Sequence, residues 1–130
     1  FNSWTNVVPI KVAIADKDGE MTLNLNESNR TCHSLNLKYG DKGEKVKTIC
    51  FETLFKENNI DEVDFVKFDV EGYEEPILMG ESFIKVAPKI KAIEIEFHFP
   101  SFPKIVEHML KLGYKARRYE SSAIIILFTR

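Results

Sequence analysis

Residues 63–80 read VDFVKFDVEGYEEPILMG. Val63 to Val70 is rich in β-branched and aromatic residues and predicts a strand; Gly72 marks a tight turn, and a helix is expected over Glu74–Val86. Pro76 suits the first turn of that helix, where its missing N–H has no intrahelical partner. The acidic residues there complement the positive helix end, and Pro88 marks the finish. The acidic cluster needs an explanation: Asp69, Glu71, Glu74 and Glu75 follow an apolar strand within a few residues. Burying an unpaired carboxylate is costly, so a fold keeps such a cluster only where it is solvated, paired or put to use.

Toward the C-terminus, Lys89–Phe99 predicts the next strand with strict alternation. Ile93, Ile95, Phe97 and Phe99 face one side, and Ala92, Glu94, Glu96 and His98 the other. Glu94 and Glu96 mark a partly exposed sheet face. Ser101 is expected to cap a helix running to Leu112, with Ile105, Val106, Met109 and Leu110 on its inner side and Gly113 as its stop. Tyr114–Tyr119 and Ala123–Thr129 predict two closing strands joined by Glu120-Ser121-Ser122. The apolar run from Ala123 to Phe128 fits a strand covered on both faces.

Toward the N-terminus, Val7–Asp16 and Glu20–Leu25 predict a β-hairpin across Lys17-Asp18-Gly19, an Asp-Gly pair being a strong local turn signal. Asn26–Glu44 is polar and reads as a loop holding one short strand. Lys45–Ile49 alternates like a strand, and Phe51, Leu54 and Phe55 fall at helical spacing over Phe51–Asn58. Strand-helix-strand-helix-strand is the pattern of an α/β fold with parallel strands, here ending in an antiparallel hairpin.

The 130 residues suit one domain with a core that needs no staples. The formal charge of -2, without a basic face, argues against a nucleic-acid track. Cys32 and Cys50 lack the spacing of a zinc site or a disulfide framework and read as reduced thiols. The longest apolar run is too short to cross a bilayer and no signal peptide is evident, so a soluble, cytoplasmic protein with no membrane partner is expected. Two glycosylation triplets, Asn26-Glu27-Ser28 and Asn29-Arg30-Thr31, carry little weight without a secretory route. The chain opens on Phe1 rather than methionine, and is therefore expected to be processed, trimmed or excised from something longer.

In open parallel sheets the ligand crevice lies beyond the carboxyl ends of the strands, where Asp69 and Glu71 fall. His98 stands at the same end of its own strand, beside them if the two strands are neighbours. Such a trio can serve acid-base chemistry, a carboxylate fixing the imidazole tautomer, or can hold a hard cation through carboxylate oxygens. Plainer readings stand beside these. Asp69 and Glu71 can cap the following helix, and a strand-end histidine can simply be hydrogen-bonded. Asp16 can accept a hydrogen bond from a ligand's amino group, or merely open the Asp-Gly turn.

The series NVVPIKVAIADKDGE, VDFVKFDVEGYEEPILMG and IEIEFH, in that order over roughly the whole chain, resembles the FkbM family of S-adenosylmethionine-dependent methyltransferases. The resemblance implies a seven-stranded Rossmann-like sheet of order 3-2-1-4-5-7-6 and O-methylation of a hydroxyl on a natural product, glycan or small metabolite. It places Asp69, Glu71 and Gly72 in the motif bordering the methyl-transfer site, Asp16 near the adenine side of the cofactor, and His98 near the acceptor. His98 or Asp69 would take the acceptor's proton. The family's glycine-rich strand-turn-helix is absent, the six glycines standing at 19, 40, 43, 72, 80 and 113. The expectation is therefore the C-terminal portion of such an enzyme, a partial sheet, mainly parallel, flanked by an N-terminal and a C-terminal hairpin. Its two missing strands would lie between the first hairpin and the strand ending in Asp69. The edges they leave predict a homodimer or an N-terminal partner. Two alternatives accompany this reading: a non-catalytic interaction domain derived from a methyltransferase, and a cation-assisted transferase in which Asp69, Glu71 and residues near His98 hold magnesium.

Overall fold

The opening stretch forms β4 (Val63–Phe68), which runs parallel to β5 (Ile90–Phe97) in a register from Val63 opposite Ile90 to Phe68 opposite Ile95. The computed structural model describes residues 5–28, 32–38, 41–98, 102–119 and 124–130. Predicted features at Phe99, at Ser101 and in the turn Glu120-Ser121-Ser122 lie outside the described residues. β5 carries the expected alternation. Ile93, Ile95 and Phe97 are buried, whereas Ala92, Glu94, Glu96 and His98 are partly exposed.

β6 (Lys115–Tyr119) and β7 (Ile124–Thr129) form the expected antiparallel hairpin, and β7 also pairs antiparallel with β5. The sheet order is β4-β5-β7-β6. The apolar C-terminal strand thus lies inside the sheet, and the charged segment around Arg117 and Arg118 takes the edge.

Between β4 and β5 the predicted single helix is two, α2 (Glu74–Leu78) and α3 (Glu81–Val86), followed by a 3-10 turn over Ala87–Lys89. Gly80 separates them in an extended conformation, and a Cβ there would stand only 3.1 Å from the Pro76 carbonyl oxygen. The break lets α3 pack on α1 (Phe51–Glu57), where the rings of Phe83 and Phe51 meet edge-on with centroids 5.4 Å apart. In α4 (Phe102–Lys111), Ile105 and Met109 are buried as predicted and Val106 partly so, but Leu110 turns to solvent.

The N-terminal hairpin does not form. A second sheet has the order β1-β3-β2, built from β1 (Ala13–Ile14), β2 (Gly19–Asn24) and β3 (Gly43–Ile49). β3 lies between the two segments predicted to pair, parallel to β1 and antiparallel to β2. Asp18 supplies the reason: its carboxylate accepts the Cys50 N–H at 2.8 Å and the Thr53 hydroxyl at 2.6 Å. The Asp-Gly bend is thereby tied to the start of α1 instead of closing a local ladder, and these bonds hold the Asp18 carboxyl below the usual range. β1 is correspondingly short, with Val7, Val8 and Ile10 exposed. The sheets are mixed, not mainly parallel: β1–β3 and β4–β5 are the parallel pairs, and β2–β3, β5–β7 and β6–β7 the antiparallel ones.

The predicted short strand in the polar loop is a single bridge, Asn24 to Ser34. Neither Cys32 nor Cys50 forms a disulfide among the described residues, and both are partly buried. No helix among the described residues is long and apolar enough to cross a membrane.

Candidate active site

Beyond β4 the backbone turns sharply, with Glu71 at φ +48 and Gly72 at φ +95. A left-handed conformation costs an L-residue such as Glu71 roughly 1–2 kcal/mol, so the turn needs outside support. The polar loop provides it. The Ser34 hydroxyl donates to the Glu71 carbonyl at 2.6 Å and the Asn36 amide to the Gly72 carbonyl at 3.1 Å. Ser34 is itself buried, and its Oγ accepts the backbone N–H groups of Asn36 and Leu37.

This turn and the end of β5 bring the predicted residues together. His98 Nε2 stands 3.7 Å from Asp69 Oδ1 and 3.5 Å from Glu71 Oε2, on the parallel neighbours β4 and β5 as the alternation requires. On its other side the ring meets a residue absent from the predicted site: Nδ1 lies 3.1 Å from Glu74 Oε1. Glu74 is 2 % exposed, and the same oxygen accepts the Gly72 N–H at 2.9 Å. An ionised carboxylate only accepts, so in the neutral ring the proton sits on Nδ1 and the Nε2 lone pair faces Asp69 and Glu71.

Lys67 bridges Asp69 at 3.6 Å and Glu96 at 3.2 Å, supplying a cation to a patch otherwise acidic. Asp16 does not join the cluster directly. It accepts the Tyr73 hydroxyl at 2.9 Å, and Tyr73 sits between Gly72 and Glu74. Burial, reinforced by the Asp16 carboxylate, pushes the Tyr73 phenol up to about 12, so it remains a donor across the neutral range. Asp16 is therefore used neither by the turn alone nor idly; it anchors the segment that carries the cluster.

Glu74 was readable from spacing. Glu74, Ile77 and Leu78 fall at i, i+3 and i+4, which puts the carboxylate on the same inner stripe as two buried aliphatic residues. Ser34 and Tyr73 carried no comparable signal, because their partners are remote in sequence.

The arrangement has two chemical capacities. Its imidazole is oriented from behind by a buried carboxylate, which is the build of a general base. Ligand atoms of Asp69, Glu71 and His98 also lie within 4.8 Å of one another, a set suited to a cation taking mixed oxygen and nitrogen donors. Beside the carboxylates opens a cavity of about 280 Å³, lined by Ile14, Leu23, Leu35 and Val70 together with His33, Asp69 and Glu71.

Neither the curated proteins nor the solved structures yield a match to this chain. Among protein families, the methyltransferase FkbM domain matches residues 5–116. That match spans most of the 130 residues and includes Asp69, Glu71, Glu74 and His98, so the chain belongs to the FkbM methyltransferase domain family.

Proposed function

We propose that this chain forms the acceptor-activating part of an S-adenosylmethionine-dependent O-methyltransferase acting on a hydroxyl of a natural product, glycan or small metabolite. The observation that carries the reading is the His98 ring, tethered through Nδ1 to buried Glu74 with Nε2 turned to Asp69 and Glu71. The order β4-β5-β7-β6, with an antiparallel strand third, supports it as the second half of a Rossmann-like sheet of order 3-2-1-4-5-7-6.

Family membership implies the cofactor, and the residues present fit it in part. Asp69 and Glu71 offer negative charge to a sulfonium, and Asp16 stands one hydrogen bond from the same turn. No glycine-rich turn for the rest of that molecule occurs among the glycines of the sequence. S-adenosylmethionine supplies an activated methyl group when bound. The chain's own part is to receive the acceptor hydroxyl, take its proton at His98 Nε2, and spread the imidazolium charge over Glu74, Asp69 and Glu71. Holding the acceptor in place contributes several kcal/mol, roughly, by making the encounter intramolecular. In the complete protein, His98→Gln is expected to lower kcat about 10²- to 10⁴-fold, the usual worth of a positioned base. Unchanged turnover by the folded variant would refute the assignment.

The donor set Asp69, Glu71 and His98 favours a second reading, a cation-assisted transfer, the imidazole pointing to a divalent transition metal and the two carboxylates alone being what magnesium would use. Glu74 suits it equally, since a ligating histidine commonly donates its other N–H to a carboxylate. Chelation separates the two: loss of turnover with EDTA and recovery with an added divalent cation, manganese or magnesium, select the cation-assisted form, and indifference selects the base alone.

A further inference from the structure

We infer that the cavity beside Asp69 and Glu71 is the acceptor subsite, that it takes a compact, uncharged and largely apolar hydroxyl compound, and that His33 positions this compound by a hydrogen bond. The word acceptor rests on the methyl-transfer reading above; the ligand chemistry rests on the cavity.

At about 280 Å³ the space falls at the small end of ligand pockets, which excludes an extended oligosaccharide. Ile14, Leu23, Leu35 and Val70 present aliphatic surface that gives no partner to the many hydroxyls of a sugar. The carboxylates of Asp69 and Glu71 repel an anionic acceptor, and His98, itself outside the lining, stands just behind that wall with Nε2 3.5 Å from Glu71 Oε2.

His33 is the remaining polar group of the lining. Its Nδ1 accepts the Asn26 N–H at 3.1 Å, so the neutral ring carries its proton on Nε2. The backbone has claimed one ring nitrogen, and among the described residues the donor Nε2–H is the atom left for a ligand. The ring also borders a second cavity of about 440 Å³ with Leu25, Asn26 and Glu27, so it forms part of the wall of both spaces. A ligand with one apolar body and one hydroxyl satisfies the walls and the donor together, at the side of the cavity where the Asp69 and Glu71 carboxylates stand.

The test uses histidine-labelled protein and follows the His33 ring resonances while benzyl alcohol, benzoate and methyl β-glucoside are titrated separately. The inference predicts a saturable shift with benzyl alcohol and at least tenfold weaker responses with the other two. His33→Phe, which keeps an aromatic ring and removes the donor, is expected to weaken benzyl alcohol binding about tenfold; should that variant not fold, the titrations of the parent protein still decide. Benzoate or the glucoside binding as well as the alcohol, no saturable shift, or an indifferent folded His33→Phe overturns the subsite. Parallel calorimetry with S-adenosylhomocysteine, on the chain joined to the glycine-rich cofactor-binding half that the methyl-transfer reading requires, keeps the two readings apart. Alcohol binding without cofactor binding sinks methyl transfer and leaves the cavity's ligand class standing. Cofactor binding without alcohol binding does the reverse.

Discussion

Replacing Glu74 by glutamine keeps the volume at a buried position and removes the charge that fixes the His98 ring. An amide presents either its oxygen or its NH2 to Nδ1, so the ring loses its reason to keep one tautomer. In the complete protein, Glu74→Gln is expected to lower kcat about 10- to 100-fold, the usual scale for a residue that orients another. Burial marks Glu74 as the fourth residue of the cluster more clearly than exposure marks Asp69 and Glu71. The sequence brought Asp69, Glu71 and His98 to one end of two strands, because alternation and strand polarity are local properties. It did not disclose that Ser34 clamps the Glu71 carbonyl, since the two are 37 residues apart and a serine in a polar loop has no distinctive pattern.

Elements were readable where their partners lie close in sequence or where a long apolar period dictates burial. The β6–β7 hairpin and the adjacency of β4 and β5 are of this kind. The N-terminal hairpin failed because Asp18 finds its partners on Cys50 and Thr53, a non-local choice that overrides a strong turn signal. α4 carries a titratable device the periodicity could not show. His108 is hydrogen-bonded to the Leu78 backbone, while its Nε2 is buried without a partner among the described residues. Burial lowers its pKa below the ordinary 6.5, with that backbone bond opposing and Lys111 adding to the fall. The unfolded chain therefore takes up this proton first as pH drops, and stability is lost below about pH 6.5. His108→Leu is expected to shrink the difference in Tm between pH 7.5 and pH 5.5. An unchanged difference would show that the ring does not carry that dependence.

At the scale of the molecule the two edges of the larger sheet differ. β6 guards its edge with Lys115, Arg117 and Arg118, charged residues that discourage further pairing. β4 pairs with β5 alone among the described strands and exposes Phe65 by 54%. We propose that a second copy of the chain pairs with this edge. Light scattering of the 130-residue chain is expected to show species heavier than a monomer, and Phe65→Lys to shift them toward the monomer. A monomeric parent chain would count against an unprotected edge. β4 and β5 converge on a single imidazole, and the state of that ring is open to direct observation. A long-range proton–nitrogen correlation spectrum, recorded at a pH where His98 is neutral, reads which nitrogen bears the hydrogen. The account predicts the proton on Nδ1, with Nε2 bare, and loss of that preference in Glu74→Gln; a proton on Nε2 in the parent protein would contradict it.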